Sequence, residues 1–404
     1  MPDKVPVLVT RIGNYPQHHG GLGVARTLGR LGVPVHAIVE DRFTPLALSR
    51  HVTRRIVWPT TGREEPARLT ESLLSIGRAI GERCVPVPTD DEAAILLAEH
   101  AELLSECFLL PLTPVGLPRL LAGKASLHRL CVEAGVPSPR SRAPTDRDEM
   151  VDAGRELGYP LVLKNLEPFS RLRVPAVSGS TTRVRDEREL LDRFPRGAPP
   201  PVLMQEYIPR QHAEDWITHL YCGPGGVPKV LFTGRKLRSW PPYAGVTTRA
   251  VALRNPGLAR LAEHLCRRTG YSGVADLDWR YDRRDGRYKL VDFNPRTGAQ
   301  FRLFENVHHV DVVRALYLDL TGREVPVGPQ VEGRVFVVGQ LDLPSVVASL
   351  RVEGRLPPDL LSERATERAW LCRDDPLPAA VEALRFGGLV TRRLARSARA
   401  RIGC

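Results

Sequence analysis

Lysine is scarce in this chain: among 58 basic residues, only Lys4, Lys124, Lys164, Lys229, Lys236 and Lys289 are lysines. Where arginine is the default cation, a lysine marks a position that calls for a compact ammonium on a slim stem. The seven cysteines are odd in number, scattered, and never spaced as CxxC, which argues against a disulfide framework or a zinc site and for reduced thiols in a cytoplasm. No apolar run approaches the roughly 18–20 residues that span a bilayer. The opening "MPDKVPVLVTRIG" lacks the plan of a signal peptide. Low-complexity linkers and internal repeats are also missing.

What is present is an ordinary globular composition, 42% apolar and 26% charged over 404 residues, enough for more than one domain. The net charge of +12 is spread along the chain rather than gathered into a nucleic-acid footprint. Its sharpest concentration is the tail "TRRLARSARARIGC", where Arg392, Arg393, Arg396, Arg399 and Arg401 share a predicted helix with Leu389, Val390 and Leu394. A solvated terminal helix and a contact with an anionic membrane are both left open there.

The N-terminal segment reads strand, glycine-rich loop, helix, strand: "VPVLVT", "RIGNYPQHHGGLG", "VARTLGRLG", "VPVHAIVE". This is an open α/β start. As a dinucleotide fingerprint it is broken, because Arg26 stands where close helix packing wants glycine or alanine. Later come a helix entered near Lys124 and closed by Gly135, a strand ending in Lys164, and a strand ending in Gln205, Glu206 and Tyr207. A hairpin, "GVADLDWRYDRRDGRYKLVDFNPR", turns at Asp285-Gly286.

Side chains two apart on a strand share a face, so Asp292, Asn294 and Arg296 are expected to look into one site. Asp278 on the other arm converges with Asp292, and Lys289, three residues before Asp292, is expected to face away. The pattern asks for a nucleoside triphosphate. Lys124 and Lys164 would meet phosphates as point charges. Gln205, Glu206, Tyr207 and Ile208 would border adenine, and Glu214 or Asp215 would accept from ribose hydroxyls. Asp278, Asp292 and Asn294 offer the hard oxygens that suit Mg²⁺, or Mn²⁺, beside phosphates. Arg296, with Arg235 and Lys236, would balance charge on a transferring phosphoryl group.

From about Leu117 to Glu305, the words "GKASLHRLCVEAGVPSP", "YPLVLKN", "MQEYIP", "GVADLDW" and "YKLVDFNPRTG" together resemble the ATP-grasp superfamily. The resemblance implies an α/β protein with an open α/β pre-ATP-grasp domain (1–115). A small lobe (116–200), a C-terminal lobe with the metal site (201–325) and a C-terminal extension with the basic tail (326–404) would follow. It also implies ATP as substrate, Mg²⁺ held by Asp278, Asp292 and Asn294, phosphate contacts from Lys124 and Lys164, and Arg296 stabilising an acyl-phosphate step.

Two departures stand out. The short Asp292 replaces the family's usual glutamate, and the loop after Lys164 has only Gly179, so that either Arg171 and Arg173 replace loop amides at the phosphates or the lid closes differently. The segments "GLGVARTLGRLGVPVHAI", "GRKLRSWPPYAGVTTRA" and "NPRTGAQFRLFEN" are similar to the carboxylate–amine ligase branch that holds D-aspartate ligase and carbamoyl-phosphate-synthase-like enzymes. That branch implies small carboxylate and amine substrates, an amino acid or peptide among them, in a cytoplasmic ligase, with homodimerisation left open. A bicarbonate-activating carboxylase and a nucleotide-regulated protein docked by its basic tail are the alternatives.

Overall fold

The computed structural model describes residues 4–15, 18–173, 175–177, 181–194, 201–241, 245–353 and 365–402, without the side chains of Ser170, Val352, Glu353, Val390 and residues 392–402. Gly179 and the side chains of the tail arginines therefore lie outside the described residues.

The N-terminal sheet contains β1 (Val7–Thr10), β2 (Val35–Val39), β3 (Arg54–Val57) and β4 (Val85–Pro88), all parallel, in the order β3-β2-β1-β4. The central strand "VLVT" is buried along its whole length, as a strand covered on both faces must be. Arg26, which breaks the dinucleotide pattern, is buried in the helix Gly20–Gly29. There it pairs with Asp375 at 2.9 Å and donates to the carbonyls of Ala369 and Trp370. The residue that disqualifies a cofactor turn thus ties the first helix to the C-terminal segment.

The second sheet, β5 (Ser141–Arg142), β6 (Leu161–Asn165), β7 (Thr182–Val184) and β8 (Val202–Glu206), is antiparallel in the order β5-β8-β6-β7. Its helices are entered through aspartate caps: Asp146 accepts from the Glu149 amide and Asp186 from the Glu189 amide. Gly135, at φ 67°, closes the helix Lys124–Ala134 in the left-handed conformation.

The third sheet has seven strands: β9 (Ala213–Cys222), β10 (Pro228–Trp240), β11 (Val246–Ala252), β12 (Gly273–Asp282), β13 (Arg287–Asn294), β14 (Val335–Val337) and β15 (Glu367–Arg368). Their order is β13-β12-β9-β10-β11-β14-β15. One face packs Trp216, Leu277, Trp279, Leu290 and Phe293 beneath the helix Pro256–Thr269. The other face carries Ile217, Tyr221 and Phe232 into the core shared with the N-terminal sheet, and the polar site sits at its end. Strands β14 and β15 carry the chain beyond residue 325 back onto this sheet. No helix of the described residues is long and apolar enough to cross a membrane.

Candidate active site

The site is built on the β12–β13 hairpin. Asp278 pairs in register with Asp292, and Asp276 with Asn294, so all four side chains share one face. Between Asp278 and Trp279 the register slips: Trp279 faces Leu290, leaving Val291 as an extra residue. A bulge of this kind frees one backbone position and inverts the alternation beyond it. Both consequences are used here. The Val291 carbonyl accepts from Lys164 Nζ at 3.1 Å. Lys289 is turned onto the same face as Asp292, correcting the expectation that it faces away.

Lys124 donates to Asp292 Oδ1. Lys236 Nζ lies 2.6 Å from Asp278 Oδ1. Burial lowers the pKa of Lys164 to about 8 despite the raising influence of Asp292. Burial would raise Asp292, but Lys124 and Lys164 outweigh it and hold the carboxyl below its ordinary value. Asp278 goes the other way, because burial exceeds what Lys236 returns.

Arg296 lies between two carboxylates, 3.1 Å from Asp276 and 3.4 Å from Asp91. Asn294 Nδ2 donates to the Asp276 carbonyl at 3.0 Å. The hairpin thus brings together Asp278, Asp292, Asn294, Arg296, Lys124, Lys164 and Lys236.

Other expected residues are placed differently. Arg235 is in register with Trp216, on the sheet face opposite Lys236. Glu214 is on that opposite face too, held by Arg283 at 2.8 Å and Trp216 Nε1 at 3.1 Å. Asp215 faces the cleft, paired with Arg280 at 3.0 Å. Gln205 turns into the small lobe, where Nε2 donates to Ser141 Oγ at 3.0 Å.

Glu206 accepts from the Arg140 amide at 3.1 Å and from Lys289 at 3.2 Å. Tyr207 lies under Arg183, 5.7 Å from ring centroid to guanidinium, and Ile208 is buried. Arg171 and Arg173 do not reach the lysine site. Arg171 is 3.2 Å from Glu92 and Arg173 donates to the Glu64 carbonyl at 3.1 Å, so the helix Pro168–Arg173 docks on the N-terminal domain. Burial raises Glu92 to about 7, with Asp90 adding to the shift and Arg171 opposing it.

Asp276 and His219 were not among the expected residues. Asp276 is two residues before Asp278, and that spacing alone would have put it on the site face. His219 reaches it only through the β9–β12 pairing, which no local pattern announces.

No protein-family model matches the chain. The D-aspartate ligase of Enterococcus faecium is 24% identical over 293 residues, covering 68% of each chain. A biotin carboxylase of Pseudomonas aeruginosa is 26% identical over 290 residues, 65% of this chain and 60% of that one.

Among solved structures, the biotin carboxylase domain of Hydrogenobacter thermophilus 2-oxoglutarate carboxylase, bound to MgADP, ADP and bicarbonate, superposes with a TM-score of 0.59. Its identity is 17%, over 82% of this chain and 73% of that one. The N5-carboxyaminoimidazole synthetase of Staphylococcus aureus with ADP gives a TM-score of 0.60 at 12% identity, over 82% and 80%. The chain is thus similar in sequence to the D-aspartate ligase and the biotin carboxylase, and it shares the fold of these solved structures.

The residues present suit the nucleotide and cation that the sequence resemblance implies. Asp278 Oδ1 is buried beside Lys236 Nζ at 2.6 Å, and a carboxylate oxygen of this kind suits a hard cation. Among the described residues no three His, Cys, Asp or Glu form a metal cage. The donor set is therefore two carboxylates and an amide oxygen, a set that phosphate oxygens and water complete for Mg²⁺.

Proposed function

We propose that the protein is an ATP- and Mg²⁺-dependent carboxylate–amine ligase that forms an amide through an acyl phosphate and releases ADP and phosphate. The observation that carries this reading is the hairpin face on which Asp278, Asp292 and Asn294 meet Lys124, Lys164, Lys236 and Arg296. Asp278, Asp292 and Asn294 would hold Mg²⁺, which neutralises phosphate oxygens when bound.

The chain's own cations do the rest. Lys164 and Lys124 carry charge to the phosphates. A substrate carboxylate oxygen attacks the γ-phosphorus, and the bond to the ADP oxygen breaks. The amine then attacks the acyl carbon, phosphate leaves, and the amine proton passes to solvent. Arg296 stabilises negative charge as it develops in these steps. Positioning and neutralisation supply most of the catalysis, because a loose phosphoryl transition state leaves side chains little covalent work.

We assign residues 1–115, 116–200 and 201–325 to the pre-ATP-grasp domain and the two lobes, with 326–404 as the extension. The substrates are small molecules, an amino acid or peptide among them, and the compartment is the cytoplasm. Similarity to the D-aspartate ligase supports an amino-acid substrate. A second reading, activation of bicarbonate, is supported by the likeness to the biotin carboxylase.

One experiment separates the two readings: ADP release across a matrix of amino acids and small carboxylates, with product masses. A ligase needs both a carboxylate and an amine and gives their condensation product. ADP release with bicarbonate and no amine would favour the second reading.

A further inference from the structure

Arg296 is held from behind by a pair of side chains that the proposed chemistry does not use. Asp276 is buried on β12, with Oδ2 3.1 Å from Arg296 Nη1. Its other oxygen lies 3.1 Å from His219 Nε2, a ring with no exposed surface that leans on Phe304 at 5.0 Å between centroids. Gly298, two residues after Arg296, closes over both groups. A Cβ there would lie 2.3 Å from His219 Cε1 and 2.7 Å from Asp276 Oδ2. The Thr297 amide donates to the Pro88 carbonyl at 3.1 Å, anchoring the same turn to the N-terminal domain.

A guanidinium on a flexible stem loses several rotors when it is fixed, and a bound substrate would otherwise have to impose that order at each turnover. A buried carboxylate braced by an imidazole, under a turn too tight for any side chain, imposes it in advance.

We propose that Asp276 and His219 are positioning residues that pre-set the Arg296 guanidinium toward the reacting carboxyl, with Gly298 as the steric lock on the pair. The inference rests on the role given to Arg296 above. Asp91 Oδ1, 3.4 Å from Arg296 Nε, is a second carboxylate beside the guanidinium.

The full-length protein tests this in two ways that fail separately. First, the Arg296 side-chain Nε–H resonance is identified by its loss in Arg296→Lys, and its exchange with solvent is measured. Asp276→Asn and His219→Ala are expected to speed exchange by about tenfold or more, and His219→Gln, which keeps a donor, by less. Unchanged exchange in Asp276→Asn and His219→Ala, both folded, overturns the positioning role.

Second, turnover on the substrates found by ADP release is compared in a double-mutant cycle. Asp276→Asn is expected to lower kcat with the KM for ATP nearly unchanged, and to add nothing in an Arg296→Ala background. Fully additive losses overturn the proposal. If exchange quickens as expected but the wild type shows no carboxylate-dependent ADP release, the ligase assignment fails while the positioning stands.

Discussion

Two buried lysines near the Val291 bulge show how differently the same cation is used. Lys289, toward the hairpin tip, lies 2.9 Å from both Asp282 and Asp285 and 3.2 Å from Glu206. Burial would lower its pKa, but these acids outweigh it and raise it. Lys164, at the bulge itself, has a neutral carbonyl as its hydrogen-bond acceptor and a pKa lowered by burial to about 8. A buried ammonium surrounded by carboxylates is already neutralised and joins parts of the fold together. One resting on a carbonyl still has charge to give an anionic ligand. Burial therefore does not separate these two lysines and their acceptors do, whereas Lys124 and Lys236 rest on carboxylates, Asp292 and Asp278, that are themselves site residues.

The comparison can be pressed hardest at the acids. Asp292→Asn keeps size and hydrogen bonding but removes the charge that faces Lys124 and Lys164. Mg²⁺-dependent turnover is expected to fall about a hundredfold or more, the scale of losing one preorganised electrostatic group. ATP binding without Mg²⁺, measured by calorimetry, should persist. Retained turnover would move the metal elsewhere.

Lys289→Ala, which the strand pattern alone would make a silent control, should instead destabilise the protein. Removing it leaves Asp282 and Glu206 largely buried with reduced compensation. Breaking such a pair costs about 3 kcal/mol, the low end for buried ion pairs, since Asp285 is partly exposed. Denaturant unfolding reads this directly. Unchanged stability would mean that the bulge does not govern the face.

Lys164→Met should do the reverse, sparing the fold and weakening ATP binding tenfold to a hundredfold, about 1.5–3 kcal/mol. Its pH signature follows from the lowered pKa. Between about 8 and the ordinary 10.5, the unfolded state binds more protons here than the folded one, so ligand-free protein gains stability with rising pH relative to Lys164→Met. Over the same rise wild-type ATP affinity should fall, because the ammonium is lost. A flat affinity profile would remove Lys164 from the phosphate site.

The smallest effect is expected at the far end of the chain. Truncation after Gly388 keeps Arg385, paired with Asp41 at 3.2 Å, and Glu382, bonded to Gln340 at 3.2 Å. Turnover should stay within about twofold, the range of surface changes. A large fall in kcat at unchanged thermal stability would bring the tail into the active site.

What the sequence made legible and what it hid divide along the same lines. The parallel opening, the hairpin with its turn at Gly286, and the convergence of Asp278 with Asp292 follow from local periodicity and turn chemistry, and all are present. The facing of Lys289 was not legible. One unpaired residue at Val291 inverts the alternation, and nothing in "YKLVDF" signals it. Arg235 was named together with Lys236, and Glu214 as an alternative to Asp215, without register information; Arg235 and Glu214 belong to the opposite face. Arg171 and Arg173 were assigned by nearness in sequence to Lys164, but the acids of the N-terminal domain hold them. Contacts set by long-range pairing, His219 with Asp276 among them, stay invisible until the sheet is assembled.

The central claim is that this hairpin face activates a carboxylate by phosphorylating it, and the fate of oxygen tests that most directly. The carboxylate substrate identified by ADP release would be supplied with heavy-oxygen label in its carboxyl group and turned over with ATP, Mg²⁺ and the amine. An acyl phosphate requires one labelled oxygen to appear in the inorganic phosphate for each ADP formed. Phosphate free of label, with amide still produced, would contradict the account.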